Sequence, residues 1–77
     1  MKHSEFWQVL DAVLGSAYGR SLAADLSLSR LGSRTADRAL ADGEAPDRVW
    51  AAMCEELDLP DSARWYHRRD PRERNAQ

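Results

Sequence analysis

Residues 4–15 read Ser4-Glu5-Phe6-Trp7-Gln8-Val9-Leu10-Asp11-Ala12-Val13-Leu14-Gly15, and their spacing decides the fold. Phe6, Val9, Leu10, Val13 and Leu14 stand at i, i+3, i+4, i+7 and i+8. At 100° per residue they fall within roughly 140° of arc, with Gln8 and Asp11 outside it, as a core-facing amphipathic helix requires. Ser4 suits the N-cap. Gly15 stands where a left-handed residue closes a helix.

Outward from this helix, Gly43-Glu44-Ala45-Pro46 opens a second one. Pro46 fits the first helical position, and Asp47 places negative charge on the positive end of the helix dipole. Val49, Trp50, Met53, Cys54 and Leu57 form its apolar stripe, and Pro60 stops it. Residues 17–30 read as a helix with Tyr18, Leu22 and Leu26 facing inward, ended by Gly32. Thr35 caps a short helix of about seven residues, with Ala36, Ala39 and Leu40 inward and Gly43 after it. No stretch alternates as a strand does, and the β-branched residues are three Val and one Thr, with no Ile. The expected class is all-α, a compact bundle of four to five short helices.

A chain of 77 residues has room for one core. The expected core is Phe6, Leu10, Val13, Tyr18, Leu22, Leu26, Leu31, Leu40, Val49, Trp50, Met53 and Leu57. Helices this short are marginal alone, so burial must hold the domain, and loss of Trp50 is expected to unfold it. The net charge of −2 is unevenly spread: residues 1–63 carry six basic and eleven acidic groups, and residues 64–77 carry five and two. The stretch from Arg68 to Gln77 has no large apolar residue, so residues 1–63 are read as the folded body and 64–77 as a basic, disordered tail. Apolar runs of three or four residues cannot cross a membrane. Met1-Lys2-His3 leads into acidic and aromatic residues rather than an apolar leader, and the expected location is cytoplasmic.

Asp25 conflicts with the pattern. On the helical wheel it lies about 20° from Tyr18, on the face expected to be buried, where a carboxylate needs partners. The structural reading has Asp25 cap the Thr35 helix or pair with Arg34, bracing the 32–35 turn. The catalytic reading, a general base, needs a second group that the sequence does not supply.

Ser4-Glu5-Phe6-Trp7, Tyr18 with Arg20-Ser21, Asp25, Leu31-Gly32-Ser33-Arg34-Thr35, Ala39-Leu40-Ala41-Asp42-Gly43-Glu44, Val49-Trp50, Cys54-Glu55 and Leu57-Asp58-Leu59-Pro60 occur in that order. The ordered string resembles a small actinobacterial family catalogued as domain of unknown function 3046, over about residues 4–62. The resemblance implies a compact helical cytoplasmic protein with no assigned activity or catalytic residues. It also implies a genomic neighbourhood near the DNA recombinase and its regulator, and so a link to DNA repair. Ser33 stands where the family's Gly-Gly-Arg-Thr turn has a second glycine, which makes the turn less permissive here.

Chemical constellations are sparse. His3 and His67 are far apart, Cys54 is single, and no paired-ligand motif exists, so no metal and no cofactor are expected. Cys54 lies on an apolar stripe beside Glu55 and Glu56, which suits a core thiol better than a nucleophile. Phosphate-cradling glycine loops are missing, and the four glycines read as helix punctuation. An enzyme is not expected. Residues 35–58 imitate a helix-turn-helix, but carboxylates at Glu44, Asp47 and Glu55 would face phosphate. Arg30, Arg34 and Arg38 recur every four residues, interrupted by Gly32-Ser33.

Two binding readings remain. Trp7, Trp65 and Tyr66 with Arg64, Arg68 and Arg69 are the residue types enriched at interface hot spots. They suit an unknown protein partner or a homodimer, unless the tryptophans only cover the rim of the core. Alternatively Arg64, Arg68, Arg69, Arg72 and Arg74, interleaved with aromatics, bind nucleic acid weakly. The residues assigned structural roles are Asp25, Arg34, Thr35 and Trp50.

Overall fold

The computed structural model of the chain describes residues 1–66. Five α-helices follow in order: α1 (His3–Leu14), α2 (Ser16–Asp25), α3 (Ala36–Ala41), α4 (Pro46–Glu56) and α5 (Asp61–Arg64), with a 3-10 turn at Ser29–Leu31 between α2 and α3. No strand is formed among the described residues; the one bridge joins Leu28 and Arg34. The all-α expectation holds.

Phe6, Val9 and Leu10 of α1 meet Val49, Trp50, Met53 and Cys54 of α4 in one buried cluster with Leu28, Leu31, Ala36 and Ala39. The indole of Trp50 stands edge-on to Phe6, with centroids 6.2 Å apart and planes at 83°, a favoured aromatic geometry. Val13, Leu22, Leu26 and Leu57 are half-buried against this cluster rather than inside it.

The helix ends are set by particular residues. The cap of α1 is Lys2, not Ser4: the Lys2 backbone N–H donates to Glu5 Oε1 at 3.2 Å. Gly15 has φ 87° and ψ 146°, a positive φ without the left-handed helical ψ, so it closes α1 and lets α2 start at the next residue. Thr35 caps α3 as its chemistry suggests, Oγ1 accepting from the Arg38 N–H at 3.2 Å. Pro46 is the first residue of α4.

α2 departs most from expectation. It ends at Asp25, and Leu26 is extended at φ −78° and ψ 121°. From there the chain closes a tight loop in which the Leu28 carbonyl accepts from Leu31 and Ser33, each at 2.9 Å, and the Leu28 N–H donates to Arg34 O at 2.9 Å. A continued helix would not carry out this turn, which buries Leu28 almost completely. Gly32 and Ser33 take left-handed φ of 67° and 65° to close it.

Tyr18 is 59 % exposed rather than in the core. Gly19 and Ala23 are the buried residues of α2, about 100° and 140° round the wheel from Tyr18. A Cβ on Gly19 would stand 3.0 Å from Leu10 Cγ and 3.3 Å from Leu14 Cβ, so Gly19 lets α2 lie close on α1 and is not punctuation. Asp25, next to Tyr18 on the wheel, is exposed with it. It therefore needs no buried partner and braces nothing by the route expected. Arg34 braces the turn instead: its Nε donates to Leu31 O at 2.8 Å, and its guanidinium meets Asp42 at 3.1 Å and Glu44 at 3.5 Å.

Candidate functional site

α4 carries Arg48, Ala51, Ala52 and Glu55 on one face, at i, i+3, i+4 and i+7. Two alanines between two charged residues leave a hollow, and the neighbouring elements wall it. Arg30 and Leu31 come from the 3-10 turn and Arg64 from the end of α5. These seven residues line a cleft of about 220 Å³. Three guanidinium groups against one carboxylate give it a local charge of +2, on a body whose residues 1–66 carry seven Lys/Arg and eleven Asp/Glu. Glu55 is engaged at the wall by an ion pair with Arg30.

Arg64 occupies a particular environment. Its Nε is buried and has no hydrogen-bond partner, while its Cζ lies 5.3 Å from the centroid of the Trp65 ring. Trp65 is 45 % exposed, and Tyr66 is half-buried against the core. α5 is held in place by the core itself, because the Trp50 indole N–H donates to Ala63 O at 3.1 Å. The residue expected to be structurally decisive thus also positions the surface that carries Arg64 and Trp65. The expected boundary between body and tail, after residue 63, falls inside α5. Arg68, Arg69, Arg72 and Arg74 lie outside the described residues, as does His67.

Trp7 belongs to a different set of contacts. It stands edge-on to Phe6 at 5.0 Å and is covered by the Arg20 guanidinium at 4.8 Å. Arg20 in turn donates to both oxygens of Asp11, at 3.3 and 3.2 Å. This stack ties α2 to α1 and uses Trp7 as rim cover of the core. Among the residues expected at one aromatic edge, the structure joins Arg64 to Trp65 and gives Trp7 its own partners. Reading the sequence alone left out Arg30 and Arg48 as partners of Arg64. The signal for Arg48 was the charged–small–small–charged face of α4.

Cys54 is buried among the core residues of α4. Burial pushes its thiol up to about 11, so it is protonated at neutral pH and poorly suited to nucleophilic attack. Among the described residues no three His, Cys, Asp or Glu groups are placed to share a metal ion, and no helix is long and apolar enough to cross a membrane.

A family model described as "Protein of unknown function (DUF3046)" matches residues 1–62. The chain belongs to this family. No curated protein and no solved structure matches it. The DUF3046 span contains Arg30, Arg48 and Glu55 of the cleft and ends before Arg64, Trp65 and Tyr66. The DUF3046 body therefore supplies two walls, and the segment just after it supplies the third.

Proposed function

We propose that this chain is a non-enzymatic, cytoplasmic interaction module that engages a protein partner through the α5 edge. The observation that carries the reading is Trp65, 45 % exposed and stacked on Arg64 beside a cleft lined by two further arginines. Trp and Arg are among the residue types enriched at the hot spots that carry most of an interface's binding energy. The core is closed around Trp50, Phe6 and Met53, and its thiol is protonated, which favours binding over turnover. Tyr66 extends the same edge, while Trp7 serves packing.

The neighbourhood of the DNA recombinase implied by the family resemblance makes a DNA-repair regulator the first partner class to test. Nucleic acid is the weaker reading. The body carries a net charge of −4 over residues 1–66, which repels a phosphate backbone. The test is crosslinked capture from native lysate with wild type and Trp65→Ala, quantified protein by protein. Proteins enriched by wild type are expected to be lost from the variant, and an identical set from both would overturn this edge. Sedimentation of the two proteins separates a second copy of the chain from a foreign partner.

A further inference from the structure

Residues 1–66 contain six arginines. Arg20 pairs with Asp11, Arg30 with Glu55, Arg34 with Asp42 and Glu44, and Arg38 with Asp42. The two that make no ion pair among the described residues, Arg48 and Arg64, line the same cleft. Cationic groups on an acidic body ordinarily find carboxylates, as the other four do. Two uncompensated guanidiniums at one hollow, one of them with a buried donor left unused at Nε, describe a site shaped for an anion supplied from outside.

We propose that the Arg30–Arg48–Arg64 cleft receives one carboxylate side chain of an acidic peptide segment, so that the partner presents an Asp or Glu next to an apolar residue. The proposal rests on the interaction reading above and names the chemistry of the partner. Three features select a carboxylate side chain. The volume of about 220 Å³ is below the roughly 300–1,000 Å³ of sites that enclose a whole small molecule, and suits a single side chain. A planar guanidinium grips a carboxylate through two parallel N–H bonds, and no carboxylate among the described residues occupies the guanidiniums of Arg48 and Arg64. Leu31, Ala51 and Ala52 line the cleft with apolar surface for the methylene stem, and Trp65 beside Arg64 offers an apolar contact to the neighbouring residue. A nucleic acid would bring several phosphates to a body of net charge −4 over residues 1–66, with Glu55 at the wall of the hollow.

The test uses the full ¹⁵N-labelled chain and a blocked peptide with a single carboxylate, acetyl-Ala-Glu-Leu-Ala-amide, with the Gln-for-Glu peptide and a thymidine oligonucleotide as the other arms. The acidic peptide is expected to shift the Arg64 Nε–H signal and the Ala51 and Ala52 amides saturably, and the Gln peptide to leave them in place. Affinity should fall about tenfold or more in Arg48→Gln and in Arg64→Gln, since each loses a charge-assisted bond. It should be unchanged in Arg38→Gln, which lies outside the cleft. Arg64→Lys, which keeps charge but loses the fork, should show an intermediate loss, and melting curves of every variant separate binding from folding. No saturable shift, equal binding by the Gln peptide, or tighter occupation of the same signals by the oligonucleotide would overturn the proposal. If the peptide binds here while Trp65→Ala captures the same proteins as wild type, the edge reading fails and the cleft stands. If Trp65→Ala loses its partners but the peptide does not bind, the reverse holds.

Discussion

Replacing Trp50 by Phe tests the link between the core and the candidate site. Trp50 is 1 % exposed, and its indole N–H is the donor that the Ala63 carbonyl accepts in the interior. Phenylalanine keeps an aromatic ring against Phe6 but removes that donor, so the nearly buried carbonyl loses its side-chain partner. Such a loss costs about 1–3 kcal/mol, with a smaller addition for the missing ring volume. A natural domain holds roughly 0.05–0.15 kcal/mol per residue, so a body of this size has on the order of 3–10 kcal/mol in total. The Phe variant should therefore stay folded with a melting temperature lower by about 5–20 °C. Trp50→Ala, at about 3–5 kcal/mol before the lost hydrogen bond is counted, should leave the chain largely unfolded. α5 has four residues and cannot persist alone. In Trp50→Phe its amides at Arg64 and Trp65, which donate to Pro60 O and Asp61 O, should lose exchange protection more than α1 does. Urea unfolding followed by circular dichroism, together with amide exchange, measures both effects. A Phe variant that unfolds at wild-type urea concentration, or that keeps α5 protection intact, would refute the anchoring role.

Three further outcomes are expected. Gly19→Ala should destabilise: the new Cβ meets Leu10 Cγ at 3.0 Å, and overpacking of about 1–3 kcal/mol exceeds the gain of up to about 1 kcal/mol in helix propensity; chemical denaturation gives the sign. Ser33→Gly should stabilise by up to about 1 kcal/mol, because Ser33 sits at φ 65°, where a side chain is strained by roughly 1–2 kcal/mol and glycine gives back part of the gain through unfolded-chain entropy; thermal melts compare the two. Acid should weaken the fold. Hydrogen bonds from the Ser29 backbone and side chain hold the Glu56 carboxyl below its usual value, and hydrogen bonds from Arg34 and then Arg38 hold Asp42 below its own. A depressed folded pKa gives stability that is present above the unfolded values of about 3.9–4.3 and is lost as pH falls through the folded ones. Melts between about pH 7 and about pH 3 should show this loss, and Glu56→Gln should flatten it; a slope unchanged in that variant would contradict the Ser29 contact.

Much of the architecture was legible because α1 and α4 announce themselves twice, by apolar spacing and by end signals. Phe6, Val9 and Leu10 are buried where the wheel puts them, and Pro46 opens α4. α2 misled because it packs through its small residues. The bulky set Tyr18, Leu22 and Leu26 is the natural choice of inward face, yet close approach to α1 favours Gly19 and Ala23, turning the buried face by about 100°. That single rotation also explains Asp25: with Tyr18 outside, the carboxylate beside it is outside too. The turn after α2 was hidden for another reason. Leu28 is buried by loop hydrogen bonds to Ser33 and Arg34, a long-range requirement that no period expresses. The cleft was hidden likewise, since Arg30, Arg48 and Arg64 meet only once three elements are packed.

The placement of the cleft on α5 has a physical consequence. The four-residue α5 is held to the core by the Trp50–Ala63 hydrogen bond, the burial of Ala63 and the packing of Tyr66 just after it, and so short an element opens at a lower free energy than the bundle it rests on. The third arginine of the site is therefore the least firmly held, while Arg30 and Arg48 ride on elements locked into the core. A carboxylate bound by all three guanidiniums would couple to the closed position of α5 and stabilise it by mass action. Binding and α5 order then rise together, and a partner presenting such a group would tighten the Trp50–Ala63 contact from outside, without any change in the rest of the fold.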